Sequence, residues 1–166
     1  TSLQLGAPAF RPAAPDSSVS QTRYLEALGH LRRYDSEPEV DSAIEILAEL
    51  AGQSSSASVQ AALGRAYLAK FAITHDPKWA TSATQACQRA ISSDRQNPDT
   101  RVTLGDLRRL TGHLDEASKE YNAALNQQPT NAEAILGLAE TYKAAGNLEE
   151  AEAAYKRSIE LQPNYW

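Results

Sequence analysis

The sequence predicts an all-α fold, a right-handed solenoid of about four stacked helix–turn–helix units. Three observations predict it. First, residues 98–131 and 132–165 superimpose at a period of 34. Leu104, Gly112, Leu114, Glu116, Ala117, Tyr121, Gln128 and Pro129 recur as Leu138, Gly146, Leu148, Glu150, Ala151, Tyr155, Gln162 and Pro163. A fixed period of this length marks units that bury their apolar faces on one another rather than in one closed core. Second, apolar residues recur at helical spacing from Val19 onward,. Third, a chain of 166 residues holds about four such units,.

Residues 1–18 are rich in Ala, Pro and Ser, with prolines at 8, 12 and 15, and read as a linker or disordered segment ahead of an array over 19–166,. The predicted repeats are 22–56, 57–97, 98–131 and 132–165. In the first, Leu28-Gly29 and Ala43, Leu47 and Leu50 hold the packing positions. A lengthened turn over 34–38 and a polar joint over 53–56 interrupt it. The second unit is 41 residues long, with Leu63-Gly64 and then Ala83, Cys87 and Ala90 as counterparts. Its surplus is a long turn around 70–79, within which Asp76-Pro77 restarts a helix as N-cap and first residue,. The third opens on Asn97-Pro98 and carries an apolar stripe of Val102, Leu104, Leu107 and Leu110,. Gly112 ends its first helix, Asp115-Glu116 oppose the dipole of the second, and Ala117, Tyr121, Ala124 and Leu125 face inward before Pro129,. The fourth repeats the plan with Ile135, Leu138, Tyr142, Gly146, Ala151, Tyr155, Ile159 and Pro163.

Composition removes several functions. Net charge is −5, and Arg32-Arg33 and Arg108-Arg109 are isolated pairs, so no nucleic-acid partner is expected,. No apolar run approaches the roughly 20 residues that span a bilayer, so this segment predicts no membrane contact of its own. The start at Thr1, the lack of methionine and the end at Trp166, just past a repeat boundary, read as a segment of a longer protein. Cys87 is the single cysteine, which rules out an intramolecular disulfide; it stands where the next unit has Tyr121, which predicts a buried side chain,.

No catalytic, cofactor or metal site is expected. His30, His75 and His113 do not pair with each other or with Cys87 at metal-ligand spacing,. No Gly-x-Ser-x-Gly elbow or Gly-rich phosphate loop is present,. The acidic pairs Asp115-Glu116 and Glu149-Glu150 sit at the same repeat position, where compensation of a helix dipole accounts for them,. Tyr67, Tyr121, Tyr142 and Tyr155 read as core, and Trp79 as a staple holding the long turn onto the array, with an exposed aromatic anchor as the alternative.

These residues resemble the tetratricopeptide repeat. The third unit matches at Leu104-Gly105, Ala117, Tyr121, Ala124 and Pro129, and the fourth at Leu138, Tyr142, Ala151, Tyr155 and Pro163. Departures are Arg101, Arg108, Ala139 and Ser158. The resemblance implies a concave groove lined by the first helix of each unit. It would present Glu26, His30 and Arg33, then Ala61, Arg65 and Leu68, then Val102, Asp106 and Arg109, then Leu136, Glu140 and Lys143. Ala61, Val102 and Leu136 would form its apolar floor. The positions used by modules that clamp chaperone tails hold Glu26, His30, Ala62, Asp99 and Thr103 here, which argues against an acidic C-terminus as ligand.

The order of residues 25–35 and 63–79 also resembles the repeat region that follows the membrane anchor in bacterial Ser/Thr protein kinases of the eukaryotic-like type. That resemblance implies a docking or sensor region outside the cytoplasm, with the kinase domain upstream; without it, a cytoplasmic location is expected. The expected function is a non-catalytic module that binds a protein or peptide. The alternative is a self-assembly scaffold, a homo-oligomer formed through an exposed terminal repeat at Tyr155 and Ile159.

Overall fold

The structure, a computed structural model, describes residues 18–95 and 97–161. Residues 1–17 of the expected linker over 1–18 lie outside these residues, as do the closing Pro163 and Trp166, while Ser18 opens the first helix. Eight α-helices are seen among the described residues: α1 Ser18–His30, α2 Glu37–Gln53, α3 Ala57–Thr74, α4 Pro77–Ser93, α5 Pro98–Leu110, α6 Leu114–Gln127, α7 Ala132–Ala145 and α8 Leu148–Leu161. A 3-10 turn, Leu31–Arg33, links α1 to α2. Each helix packs on the next in sequence, and α5 also touches α3 and α7. The odd-numbered helices α3, α5 and α7 therefore lie side by side. No described helix is long and apolar enough to cross a membrane.

Local sequence sets the boundaries. Asn97 and Asp76 cap α5 and α4: the Asn97 side chain accepts from the backbone N–H groups of Asp99 and Thr100, that of Asp76 from Lys78,. Each is followed by a proline in the first helical turn, where the missing N–H costs nothing,. Asn131 caps α7 in the same way through Ala134. Gly112 and Gly146 close the first helices of their units at φ of 81° and 84°, a left-handed conformation that a β-carbon disfavours,.

The surplus of the second unit is helix and not turn. α3 runs on to Thr74, and the connection to α4 shrinks to His75 and Asp76. The sequence 70–74 is Lys-Phe-Ala-Ile-Thr, without Gly or Pro, so nothing stops the helix there,. Instead His75 adopts a left-handed φ of 54° and its N–H bonds the Phe71 carbonyl. The extra turn positions Trp79, whose ring stacks on Tyr67 with centroids 5.7 Å apart and planes 23° apart,. Lys78 Nζ lies 4.9 Å from the same ring centroid,. Trp79 is thus the staple expected of it.

The extra turn also brings Lys70 inward. Its side chain is 8% exposed, and its ammonium donates to Glu37 Oε1 at 2.8 Å and Asp41 Oδ1 at 2.5 Å, which ties α3 to α2. These contacts hold its pKa above the ordinary lysine value, against desolvation by burial,.

Packing divides into an N-terminal cluster around Tyr24, Leu47, Val59 and Leu63 and a C-terminal one around Tyr121, Ala134 and Leu138. Tyr121 fills the second because Gly105 and Gly137 leave room for its ring; a β-carbon on either would strike it,. Cys87 is fully buried, as its repeat position predicted, and burial pushes its thiol up to about 12. Such a thiol is not a nucleophile at neutral pH. Of the four tyrosines expected in the core only Tyr121 is fully enclosed; Tyr67, Tyr142 and Tyr155 are half-buried.

Candidate functional site

The side-by-side helices α3, α5 and α7 present charged side chains to one another along one face. Arg109 of α5 is the centre of a closed network. Its guanidinium lies 3.6 Å from Asp106 Oδ1 and 3.1 Å from Glu140 Oε2 on α7, and its Nε donates to the Tyr121 hydroxyl at 3.4 Å. Tyr121 in turn donates to Asp106 Oδ1 at 2.7 Å. All three charged side chains are less than a fifth exposed. Burial holds the Asp106 and Glu140 carboxyls above their ordinary range, and the Tyr121 hydroxyl and Arg109 pull Asp106 part of the way back,. Such a network fixes the relative position of α5, α6 and α7 and has little capacity left for a ligand.

Next to it stand three charged groups of a different kind: Arg65 on α3, Asp99 on α5 and Glu133 on α7. None makes a side-chain hydrogen bond or an ion pair within 4.0 Å among the described residues. Arg65 is still near enough to act electrostatically on Asp99, Asp106 and Glu133. Burial pushes the Glu133 carboxyl up to about 7, Arg65 opposes that shift, and the carboxylates of Asp106 and Asp99 add to it. Asp99 is raised for the same first reason.

The residues expected in the groove divide accordingly. Arg65, Asp106, Arg109 and Glu140 come together on this face, with the half-buried Leu68 and Leu136 on the same helices and Lys143 acting on Glu140. Two members of the expected floor are almost fully enclosed. Val102 is 5% exposed and packs against Ala117, Tyr121, Ala124, Ala134 and Leu138, and Ala61 is 2% exposed. Both are buried, Val102 in the cluster that includes Ala117, Tyr121 and Ala124 of α6. His30 and Arg33 are engaged elsewhere. Both contact Glu39 of α2, at 2.5 Å each, and His30 first, then Arg33, holds that carboxyl below its usual range. Glu26 is exposed on α1.

Glu133 was not singled out by its sequence position, because an acid in a first helical turn is accounted for by the helix dipole,. A signal was available. Asp99 and Glu133 are one period apart, as are Asp106 and Glu140, and Arg109 and Lys143. Carboxylates that recur in register on adjacent first helices form a ladder across the face. Among the described residues no group of three or more His, Cys, Asp or Glu is placed to hold a metal ion.

A tetratricopeptide-repeat family model matches residues 112–166. No curated protein matches the chain. Among solved structures, TTC0263, a thermophilic TPR protein in Thermus thermophilus, aligns with a TM-score of 0.78 at 23% identity, over 87% of this chain and 75% of that one. MamA aligns with a TM-score of 0.62 at 26% identity, over 84% and 77%. The pilF protein of Pseudomonas aeruginosa aligns with a TM-score of 0.62 at 21% identity, over 86% and 61%. The fold is a tetratricopeptide-repeat solenoid.

Proposed function

We propose that this chain is a non-catalytic binding module whose α3–α5–α7 face holds an extended protein segment bearing Lys or Arg side chains. One observation carries the reading. Arg109, Asp106, Tyr121 and Glu140 satisfy one another, whereas Arg65, Asp99 and Glu133 point charge at the same face without a direct partner. Half-buried carboxylates that lack partners gain most from an incoming cation, which replaces the hydration they have lost. Two acids against one arginine leave the unpaired set net negative. A basic segment complements it, and Arg65 remains to hold a carbonyl or carboxylate of that segment.

The sign of the pH dependence follows. Bound Lys or Arg favours ionised Glu133, whose pKa in the free protein is about 7. Affinity should therefore rise between pH 6 and pH 8, with protons released on binding. The test is selection from a random peptide display library, followed by calorimetry on the winners. Enrichment in Lys and Arg is expected, with at least about tenfold weaker binding to Asp99→Asn/Glu133→Gln. Peptides that bind this variant and the parent equally would reject the groove.

We further propose that the array is the docking or sensor part of a larger bacterial signalling protein such as a membrane Ser/Thr kinase, lying outside the cytoplasm. The support is the order of residues 25–35 and 63–79. Reading the complete gene tests it: an upstream frame with no kinase domain and no membrane anchor removes this proposal and leaves the groove reading standing.

A further inference from the structure

The acids of the α3–α5–α7 face that lack a direct partner stand at the edge where the chain enters the array. Asp99 and Glu133 are the second residues of α5 and α7, and they are close enough to act on one another. Helix α1 brings its own start to this edge. The Tyr24 hydroxyl donates to the Ser58 carbonyl, in the first turn of α3, at 3.5 Å. Arg65 and Asp99 both lie near enough to act electrostatically on that hydroxyl. Ser18, where α1 begins, is six residues before Tyr24 and so about 9 Å further out along the helix,. Allowing two helix spacings of about 9 Å across the face, Asp99 is about 20 Å from Ser18.

The sequence ahead of Ser18 suits this face in reach, backbone and charge. Arg11 is the one cation of residues 1–17 and stands seven positions before Ser18. Prolines at 8, 12 and 15 favour an extended backbone that advances about 3.1 Å per residue,. Seven such residues span about 22 Å, which brings Arg11 to Asp99. The one acid of the segment, Asp16, is two residues from α1, where a helix N-terminus favours negative charge,. Tethering supplies the rest. A short linker holds its ligand near the site at millimolar effective concentration, so a single guanidinium shared by two carboxylates suffices.

We infer that the first occupant of the face is the chain's own N-terminal arm, with the Arg11 guanidinium between Asp99 and Glu133. An outside partner must then displace this arm, which holds the array closed until a stronger basic segment arrives. The inference rests on the basic-segment reading proposed above and adds which segment is held first.

The probe is a fluorescent peptide of residues 6–17, titrated by anisotropy into the full chain and its Arg11→Ala variant. Arg11→Ala should take up the peptide at least about tenfold more tightly than the parent, whose tethered arm competes for the face. Adding Asp99→Asn/Glu133→Gln to that variant should remove the binding, as should Arg11→Ala within the peptide. Equal affinity for parent and Arg11→Ala, or binding to neither, overturns the inference. So does a parent dimer in sedimentation that Arg11→Ala abolishes, since the arm would then sit on a second copy. Lys- and Arg-rich peptides selected by display separate this result from the reading of the face itself. If they bind parent and Arg11→Ala alike yet lose affinity for Asp99→Asn/Glu133→Gln, the face stands and its own arm is excluded from it. If the acid substitutions leave them unaffected, the face falls as well.

Discussion

Thr100 carries the sharpest residue-level anomaly of this molecule. Its side chain is fully buried on α5, and its Oγ1 finds no hydrogen-bond partner among the described residues. A buried hydroxyl without a partner keeps its desolvation cost and returns nothing for it. Thr100→Val keeps the shape and removes the orphan, and should stabilise the protein by about 1 kcal/mol. That corresponds to a melting temperature higher by roughly 2–4 °C in differential scanning calorimetry. Repeat register does not reveal this, since the matching residue one period on is Ala134, equally buried and without a polar atom. Asp106 and Arg109 were legible because the resemblance to the repeat family implied them for the groove. Glu133 was not, because an acid in a first turn has an ordinary explanation until its lack of a partner is seen.

At the level of elements, α3 and α4 are the individual part of the chain. Their extra length makes two contacts that the shorter units lack: Lys70 with Glu37 and Asp41, and Trp79 on Tyr67. The carboxylates of the first contact are about half exposed, so solvent screens much of its strength,. The aromatic stack is the stronger tie. Trp79→Ala should cost about 2 kcal/mol, less than a fully buried Trp because this residue is only half-buried,. Urea titration measures the loss, and near-UV dichroism should show the Trp79 signal gone with helix content kept. The sequence showed that residues were inserted and roughly where. It could not show that they would lengthen helices, because seven residues without Gly read equally as loop or as two turns of helix until their packing partners are known.

For the whole molecule, the solenoid is a sum of units each touching only its neighbours, so stability grades along the array. Among the described residues α4, α5 and α6 have neighbours on both sides, whereas α8 packs on α7 alone and has exposed Leu148 and Ile159. Amide hydrogen exchange should therefore be fastest in α8 and slowest in α5 and α6 at low protein concentration. Uniform protection across all helices would contradict the graded picture.

The helices, their order and most of the packing residues were already legible in the amino-acid order. A period of 34 with Asn caps, glycine closures and a recurring Tyr constrains the backbone locally and repeats the constraint. The similarity to known repeat structures agrees with that scaffold. Which charged groups are satisfied was settled by packing in three dimensions. Arg65, Asp99 and Glu133 sit on three helices far apart in sequence, and whether a carboxylate is paired depends on distances of a few ångströms across helix interfaces. Burial settled the rest: it enclosed Val102 and Ala61, brought Lys70 in, and left Leu148 and Ile159 facing water.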